Sequence, residues 1–338
     1  MKVLVTGGLG YIGSHTVVAL HEAGHEVVII DNLDNTNIGV LDALKRICDR
    51  SFNFYERDIR QQESLEEVFS QEKNVEAVIH FAARKSVNES LKMPAAYFDH
   101  NIKGLINVIA TCEKFAVHRF IFSSSCTVYG DPDVFPVTEL TPRKKSPTPY
   151  GNSKRIGEEI LEEYASLKPE FRVILLRYFN PVGAHESALI GELPLGVPAN
   201  LMPFITQTAA GIREKLRVFG KDYETRDGTA IRDFIHVMDL AEAHVVSLDY
   251  ANAMQQTNID VFNIGTGTGN TVLEVIEAFE RVNNIKLNYA FVDRRDGDVE
   301  KIWADTEKAD SVLGWRAKRS LDDMALSAWQ WQKNIDKK

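Results

Sequence analysis

The chain has 338 residues, of which 44% are hydrophobic and 26% are charged, proportions typical of a globular protein with one large domain or two. Its formal net charge of −9 at pH 7 argues against nucleic acid or an anionic membrane surface as a partner, because both require a basic face. Three widely spaced cysteines, with no signal peptide and no apolar run near the ~18 residues of a membrane span, lead us to expect a cytoplasmic protein.

Short apolar runs alternate with helical patterns through the first half of the chain. The near-continuous apolar character of these runs is typical of parallel strands that are covered on both faces. We predict strands at 2–6, 26–30, 53–56, 77–81, 119–123 and 172–178. Helices are predicted near 11–23, 61–72, 94–115 and 149–168. This alternation predicts an α/β fold with a doubly wound parallel sheet of the Rossmann type.

The stretch VTGGLGYIGSH joins the first predicted strand to the first helix and carries the pattern G-x-x-G-x-x-G. Gly7, Gly10 and Gly13 would allow a tight turn and let a dinucleotide pyrophosphate approach the helix N-terminus. Asp31 ends the second strand, where its carboxylate could accept hydrogen bonds from an adenosine ribose and would repel a 2′-phosphate. The sequence therefore predicts NAD in preference to NADP, with Asp58 near the adenine. A plain strand–turn–helix connection is the alternative.

The stretch HEAGH, His21 to His25, matches the zinc-protease pattern H-E-x-x-H. That pattern works only when both histidines share one face of a continuous helix. Gly24 instead indicates the end of the first helix before the next strand. No third ligand is in evidence, so we predict no metal site here.

Residues 148–157, TPYGNSKRIG, place a tyrosine and a lysine four positions apart. Thr148 is the predicted N-cap and Pro149 the first residue of a helix, so Tyr150 and Lys154 would lie on one face. The fifth strand ends in FSSSCTVYG, which brings Ser125 to the same carboxyl edge of the sheet. The lysine and a positive nicotinamide ring could together lower the pKa of the phenol, which predicts general acid–base catalysis coupled to hydride transfer. A surface pair on an amphipathic helix is the alternative.

Proline and glycine become frequent after residue 180, and strands and helices no longer alternate regularly. We predict that residues 180–338 mainly form a smaller, mixed α/β lobe, with some segments returning to the large domain of residues 1–179. The Pro- and Gly-rich segment at 180–200 is long for a structureless connection, and such loops are usually functional.

The combination of a strand-five serine, Tyr-x-x-x-Lys and G-x-x-G-x-x-G resembles the extended short-chain dehydrogenase/reductase family. The motifs TGGLGYIGSH, FSSSCTVYGD, LRYFNPVGAH, IRDFIHVMDLA and RRDGD are similar to those of its UDP-sugar 4-epimerases. The resemblance implies that residues 1–179 bind NAD and that the 180–338 lobe binds a UDP-sugar. It implies interconversion of UDP-glucose and UDP-galactose by oxidation at C4, rotation of the 4-keto sugar and re-reduction. It also implies a homodimer, formed through the helices at 94–115 and 149–168.

The resemblance further implies which residues form the site. The catalytic residues are Ser125, Tyr150 and Lys154. Besides the three glycines, the residues expected at NAD are Tyr11, Ile12, Asp31, Asn32, Asp58, Ile59, Phe81, Ala82, Lys85, Tyr150, Lys154, Tyr178 and Phe179. Those expected at the nucleotide-sugar are Ser125, Tyr150, Asn180, Asn200, Leu201, Leu216, Phe219, Arg232, Arg295, Asp298 and Ile302. Fork-shaped guanidinium groups suit a pyrophosphate, although an ion pair with neighbouring Asp233 is the alternative for Arg232.

Departures from the family pattern lie near the predicted cofactor site. HFAARKSVNES replaces the more usual HFAGLKAVGES, which places Arg84 and Asn88 near the cofactor. His100 stands where an asparagine often precedes Asn101. Cys126 stands where alanine is common, and we expect it to be a small buried filler.

Two rival activities and one substrate question stay open at the level of sequence. A nucleotide-sugar 4,6-dehydratase would carry an Asp–Glu pair directly after Ser125, where this chain has Cys126 and Thr127. A non-catalytic NAD-binding regulator would tolerate loss of the tyrosine or the lysine.

Ile302, just before WAD, stands at the position that resembles the wall of the sugar pocket in related enzymes. This predicts UDP-glucose and UDP-galactose as the preferred pair. UDP-N-acetylglucosamine or another UDP-sugar is the alternative substrate, and a plain core position is the alternative for Ile302.

Overall fold

The computed structural model describes residues 1–255, 257–295 and 298–335. Its strands are, in chain order, β1 (Lys2–Thr6), β2 (Glu26–Asp31), β3 (Asn53–Glu56), β4 (Ala77–His80), β5 (Arg119–Ser123), β6 (Arg172–Tyr178), β7 (Asn180–Val182), β8 (Leu216–Phe219), β9 (Ile231–His236), β10 (Ile259–Ile264), β11 (Gly269–Thr271), β12 (Tyr289–Val292) and β13 (Lys301–Ile302). Its α-helices are α1 (Tyr11–Glu22), α2 (Gly39–Cys48), α3 (Gln62–Gln71), α4 (Val87–Lys92), α5 (Pro94–Phe98), α6 (Gly104–Lys114), α7 (Pro149–Leu167), α8 (Leu201–Ala209), α9 (Val237–Ala253), α10 (Val272–Asn283), α11 (Glu307–Leu313) and α12 (Leu321–Ile335). A π-helical turn, Asp99–Lys103, joins α5 to α6, and a 3₁₀ turn, Cys126–Tyr129, follows β5.

A parallel sheet of seven strands forms the centre of the described part of the chain. The strand order is β10-β6-β5-β4-β1-β2-β3, and each neighbouring pair runs parallel. From β1 the chain moves outward through β2 and β3, and then crosses to β4 on the other side of β1. Ligands bind at such a reversal, at the carboxyl ends of the strands. The prediction of a doubly wound α/β fold is confirmed.

Alternate residues of the central strands point into opposite layers of helices. In β1, Val3 and Val5 pack into the apolar cluster that contains residues of α1, α2 and α9. Leu4 packs into the cluster on the other face, which contains residues of α3, α6 and α7. Because both faces are covered, these strands need near-continuous apolar sequence, and this is why the sequence pattern predicts them well.

The helices around α5 differ from the sequence prediction. In the first half of the chain, the structure has two α-helices that were not predicted, α2 and α4. The helix predicted at 94–115 is broken into separate segments. Pro94 begins α5 after α4 has ended, and the chain then widens into the π-helical turn. In that turn, the Asn101 side chain accepts a hydrogen bond from the Arg84 amide at 2.8 Å and donates one to the Arg84 carbonyl at 3.0 Å. Contacts between such distant positions leave no trace in local periodicity.

The second half of the chain contributes to two places. Strand β10 returns to the edge of the large sheet, and α9 packs against that sheet. Strands β7, β9, β11 and β13 form a smaller sheet, and β8 pairs with β12. Helices α8, α10 and α12 share an apolar cluster with β7, β8 and β9. The mixed α/β character predicted for this half is confirmed. The sequence prediction misses β10 because Asp260 and Asn263 interrupt its apolar run.

Within the described residues, none of the helices is both long and apolar enough to cross a membrane.

Candidate active site

The glycine-rich turn after β1 has no room for side chains. Gly7 has φ +70°, and a Cβ added there would lie 2.8 Å from the Ala82 backbone nitrogen. A Cβ on Gly13 would lie 2.2 Å from the Gly7 carbonyl oxygen. Helix α1 begins directly after Gly10 without a capping side chain, so its first N–H groups are available to an anion. This bare backbone cradle fits the pyrophosphate of a dinucleotide.

The turn opens into a cavity at the carboxyl edge of the large sheet. Most residues predicted to contact NAD line this cavity: Gly7, Gly10, Tyr11, Ile12, Gly13, Asp31, Asn32, Asp58, Ile59, Phe81, Ala82, Lys85, Tyr150, Lys154 and Tyr178. Phe179, between β6 and β7, does not line it, because its side chain is buried in a cluster with Ile302. The sequence reasoning missed Asp34, Asn35, Arg57 and Ala83 in the lining.

The residues that depart from the family pattern differ in whether they line this cavity. Arg84 and His100 line the cavity, whereas Asn88 is exposed on α4 and does not. The Arg84 guanidinium reaches Asp34 at 2.8 Å. Burial and the nearby arginines Arg60 and Arg84 lower the pKa of His100.

Two carboxylates at the adenosine end of the cavity are held by different partners. Asp31 is buried and accepts hydrogen bonds from the backbone N–H groups of Leu9 at 3.1 Å and Leu33 at 3.0 Å. Burial raises its pKa, and these hydrogen bonds oppose the rise. Asp58 is bound by Arg60 at 2.6 Å, a partner that the sequence reasoning missed, and this contact lowers the pKa of Asp58 to about 2.

The first turn of α7 brings Tyr150 and Lys154 to the cavity. Thr148 is the N-cap, its hydroxyl accepting from the Gly151 amide at 3.2 Å, and Pro149 is the first helical residue. Both features are confirmed. Tyr150 is 8% exposed and Lys154 is 4% exposed, so the alternative of a surface pair is wrong. Ser125, at 6% exposure, follows β5 at the same edge of the sheet.

Burial dominates the electrostatics of this pair. Burial raises the pKa of Tyr150, and a hydrogen bond with Ser125 only partly opposes this. Lys154 donates to the carbonyl oxygen of Ser123 at 2.6 Å, and burial lowers the pKa of the lysine to about 8 against the opposing charge of Glu158. Burial therefore outweighs the contribution of Ser125 to the phenol pKa. The lowering of this pKa by Lys154 together with a nicotinamide ring stays a prediction.

The three serines at the end of β5, Ser123 to Ser125, each have a separate partner. The Ser123 hydroxyl lies 2.8 Å from the Tyr178 hydroxyl. The Ser124 hydroxyl donates to Glu158 at 2.5 Å. The Ser125 oxygen accepts from the Thr127 amide at 3.2 Å and from the Thr127 hydroxyl at 3.0 Å. The sequence reasoning identified only Ser125, because the partners of the other serines come from α7 and β6.

Glu158 lies at the centre of a buried ionic network beneath the site. Its carboxylate is fully buried and accepts from Arg177 at 2.7 Å and Arg143 at 3.1 Å. The sequence signal for this network was the position of Glu158 four residues after Lys154, because that spacing places both side chains on one face of α7.

Arg232 and Arg295 converge on Asp298 in the smaller lobe. Arg295 contacts the Asp298 carboxylate at 2.8 Å and Arg232 contacts it at 3.5 Å. Asp233 instead accepts from the Thr266 amide and the Ala304 amide, so the alternative ion pair between Arg232 and Asp233 is wrong. Within the motif RRDGD, residues 296 and 297 lie outside the described residues.

The other residues predicted at the nucleotide-sugar lie around this pair of arginines and beside the cofactor cavity. Asn180 begins β7, which pairs with β9. Asn200 precedes α8, where Leu201 begins the helix, and its amide donates to Glu192 at 2.6 Å. Glu192 also accepts from Lys85 at 3.2 Å, which links this region to the cofactor cavity.

Strands β8 and β13 carry the remaining predicted residues. Leu216 and Phe219 are the ends of β8; Leu216 is buried, and the Phe219 ring lies 5.6 Å from the Arg295 guanidinium. Ile302 pairs with Arg232 across neighbouring strands but is only 5% exposed. Cys126, expected to be a small buried filler, is partly buried at the start of the 3₁₀ turn and packs against the apolar cluster that contains Ile302.

The histidines of HEAGH do not share a helix. Helix α1 ends at Glu22, Gly24 has φ +80°, and His25 follows it outside the helix. Across residues 1–255, 257–295 and 298–335, no group of three or more His, Cys, Asp or Glu side chains could hold a metal ion.

Comparison with known proteins gives full-length matches. A family model described as GDP-mannose 4,6 dehydratase matches residues 4–327. The UDP-glucose 4-epimerase of Bacillus subtilis is 47% identical over 98% of this chain and 97% of its own length. A solved UDP-glucose 4-epimerase from Stenotrophomonas maltophila, with bound NAD and formylated UDP-arabinopyranose, superimposes with a TM-score of 0.96 at 46% identity, over 100% of this chain and 99% of the other. The enzyme from Bifidobacterium longum, in complex with NAD+ and UDP, gives a TM-score of 0.95 at 42% identity over 99% of both chains.

Proposed function

The chain belongs to the UDP-glucose 4-epimerase family, and we propose that it interconverts UDP-glucose and UDP-galactose through bound NAD. The observation that carries this function is that Tyr150 and Lys154 line the cavity that opens from the glycine-rich turn, with Ser125 directly after β5 close enough to lower the pKa of Tyr150. A phenol, a hydroxyl and an ammonium at the mouth of a dinucleotide site can move a proton while a hydride is transferred.

The cofactor site supports NAD over NADP. The backbone cradle around Gly7 and Gly13 accepts a pyrophosphate, and Asp31 is available at the end of β2 for a ribose hydroxyl. A 2′-phosphate beside this buried carboxylate would meet a like charge.

In the proposed mechanism, Tyr150 takes the proton from the 4-hydroxyl of the sugar, while Ser125 donates a hydrogen bond to the reacting oxygen. NAD bound in the cavity supplies a reversible hydride acceptor at C4. Because burial raises the pKa of Tyr150, its phenolate needs compensating positive charge, and Lys154 is the cation that the chain provides nearby. Tyr150 returns the proton when the 4-keto sugar is reduced on its opposite face.

We propose that Arg232 and Arg295 hold the pyrophosphate while the sugar turns over. Both guanidinium groups now contact Asp298, which keeps two like charges close together and oriented before a phosphate binds. Such anchoring lets the sugar rotate about its linkage without leaving the site. Asn180, Asn200, Leu201, Leu216 and Phe219 are proposed to complete the nucleotide-sugar site.

A 4,6-dehydratase is the rival function, since the matching family model carries that description. Dehydration requires an acid to protonate the departing hydroxyl. Cys126 and Thr127 follow Ser125 in this chain, and burial raises the pKa of the Cys126 thiol to about 12. Neither side chain can serve as that acid, so the epimerase is favoured.

The arrangement of the molecule is part of the same proposal. We propose residues 1–179 as the NAD-binding domain and 180–338 as mainly the nucleotide-sugar-binding lobe, with β10 and α9 returning to the large sheet. Met93, Phe98 and Ile106 expose large apolar surfaces around α5 and α6, which supports a homodimer through the helices at 94–115 and 149–168. The three cysteines are all free, which supports a cytoplasmic location.

The experiment that tests the function is the substitution Tyr150→Phe. It removes only the proposed proton acceptor, so we expect epimerisation to fall by about 100-fold or more, with unchanged thermal unfolding and NAD content. Tyr164→Phe, on the same helix but away from the cavity, is the matched control and should retain activity. Activity near that of the wild type in Tyr150→Phe would refute the assignment.

A further inference from the structure

Thr127 contacts the proposed catalytic serine through two groups. Its backbone N–H and its side-chain hydroxyl both donate to the Ser125 oxygen, at 3.2 and 3.0 Å. Thr127 lies in the 3₁₀ turn after β5, and a Cβ added to Gly151 would lie 3.3 Å from the Thr127 Cβ. Thr127 therefore packs beneath the first turn of α7, which carries Tyr150.

These two contacts restrict what the Ser125 hydroxyl can do. A serine oxygen has two acceptor positions and one proton to donate. Thr127 fills both acceptor positions, so the remaining direction belongs to the Ser125 proton. Two polar groups beside Ser125 remain for that proton, the Tyr150 phenol and the Cys126 thiol. Ser125 lowers the pKa of both groups, and the thiol is a weak partner.

We propose that Thr127 is a positioning residue that turns the Ser125 proton toward Tyr150. This inference rests on the proposed function and deepens it. A Ser125 hydroxyl that can only donate stabilises the phenolate form of Tyr150 and, in turn, the reacting oxygen of the sugar. Without the Thr127 hydroxyl, Ser125 regains a free acceptor position and can accept a hydrogen bond from the neutral phenol instead, which favours the protonated form.

The other titratable groups around the phenol do not depend on Thr127. Tyr178 on β6, Cys126 in the 3₁₀ turn and Tyr97 on α5 all raise the pKa of Tyr150. Lys154, from α7, is held by the Ser123 carbonyl. Ser125, by contrast, lowers the pKa of Tyr150.

The test compares Thr127→Val with Thr127→Ser in the NAD-bound protein. Valine keeps the shape of threonine and removes the hydroxyl, whereas serine keeps the hydroxyl and removes the methyl group. Ionisation of Tyr150 is followed by ultraviolet tyrosinate absorbance, with the titration of Tyr150→Phe subtracted. We expect Thr127→Val to raise the midpoint by about one pH unit, and Thr127→Ser to titrate close to the wild type. Thr111→Val, which removes a buried hydroxyl bonded within α6, is the control for an unrelated loss.

A second readout uses turnover. The acidic limb of the kcat profile should move with the titration midpoint, so a midpoint that rises by one pH unit should lower kcat on that limb about tenfold, with little change in KM. An unchanged midpoint in Thr127→Val would overturn the proposal, as would an equal rise in Thr127→Ser. The titration needs no turnover, so it decides the role of Thr127 even if the wild type fails to interconvert UDP-sugars, which would refute only the proposed function.

Discussion

Tyr150 and Lys154 lie one helical turn apart, yet the protein stabilises the charged form of each side chain to a different extent. Lys154 donates to the Ser123 carbonyl and feels the charge of Glu158, so its ammonium has support in a site that is almost closed to solvent. The Tyr150 phenol is buried without comparable support, and its hydrogen bond with Ser125 is the main opposing influence. A base with a raised pKa is active only when bound ligands and positioned donors compensate, which makes proton transfer depend on a filled site.

At the level of single residues, sequence reasoning succeeded where the motif carries its own geometry. Thr148 and Pro149 mark the start of α7, and once the start is known, the spacing of Tyr150 and Lys154 places both side chains on one face of the helix. The failures concern partners from distant elements: nothing near Ser124 in the sequence indicates Glu158 on α7, and nothing near Ser123 indicates Tyr178 on β6.

Ile302 gives a prediction about substrate size. The side chain is buried in one cluster with Phe179 and pairs across strands with Arg232, where we propose the wall of the sugar pocket. We expect Ile302→Gly to raise turnover of UDP-N-acetylglucosamine relative to UDP-glucose by about 10- to 200-fold, measured as the ratio of kcat/KM values. Removing a buried aliphatic side chain should also lower the free energy of unfolding by about 3 kcal/mol or more.

Ile302→Val is the matched control, since it keeps a β-branched side chain and most of the volume. Its selectivity should stay near that of the wild type. Unchanged selectivity in a folded Ile302→Gly variant would mean that Ile302 is a core residue only.

At the level of elements, the central strands were predictable because burial on both faces leaves a simple apolar signature. The π-helical turn after α5 and the return of β10 to the sheet were not, because each depends on pairing with residues far away in sequence. The same contrast holds in the site: the β1–α1 turn is encoded by adjacent glycines, whereas the arginine pair in the smaller lobe is assembled from β9 and the segment before β13.

The β1–α1 turn gives a prediction about cofactor binding. In Gly13→Ala the added methyl group would meet the Gly7 carbonyl and the Gly8 backbone, and neither can move without displacing α1 from β1. We expect NAD affinity to fall by about tenfold or more, equivalent to about 1.4 kcal/mol, measured by calorimetry on NAD-depleted protein. Gly39→Ala, where the nearest atom belongs to the Asn37 side chain, should bind NAD normally. Equal affinity in both variants would contradict the cradle.

At the scale of the whole molecule, the net charge of −9 gives no general attraction for an anionic UDP-sugar. We therefore expect recognition to depend on the local pair of guanidinium groups. Assembly is also a property of the whole molecule, and apolar side chains on α5 and α6 remain exposed in the single chain.

This exposed surface gives a prediction about oligomeric state. Ile106 is 48% exposed on α6, and a glutamate there would place a charge within the proposed dimer interface. We expect the wild type to be a dimer in size-exclusion chromatography with light scattering, and Ile106→Glu to be mainly monomeric. Leu326→Glu, at a similarly exposed position on α12, should remain dimeric. A monomeric wild type, or a dimer that survives Ile106→Glu, would contradict this interface.

The most direct test of the central claim is to incubate the purified protein, without added NAD, with UDP-galactose or UDP-glucose and to resolve the products. Because bound NAD is regenerated in each cycle, we predict that both starting sugars reach the same mixture of UDP-glucose and UDP-galactose, with weak conversion of UDP-N-acetylglucosamine. No interconversion by protein that contains NAD would contradict the account, and a 4-keto-6-deoxy sugar product would identify a dehydratase instead.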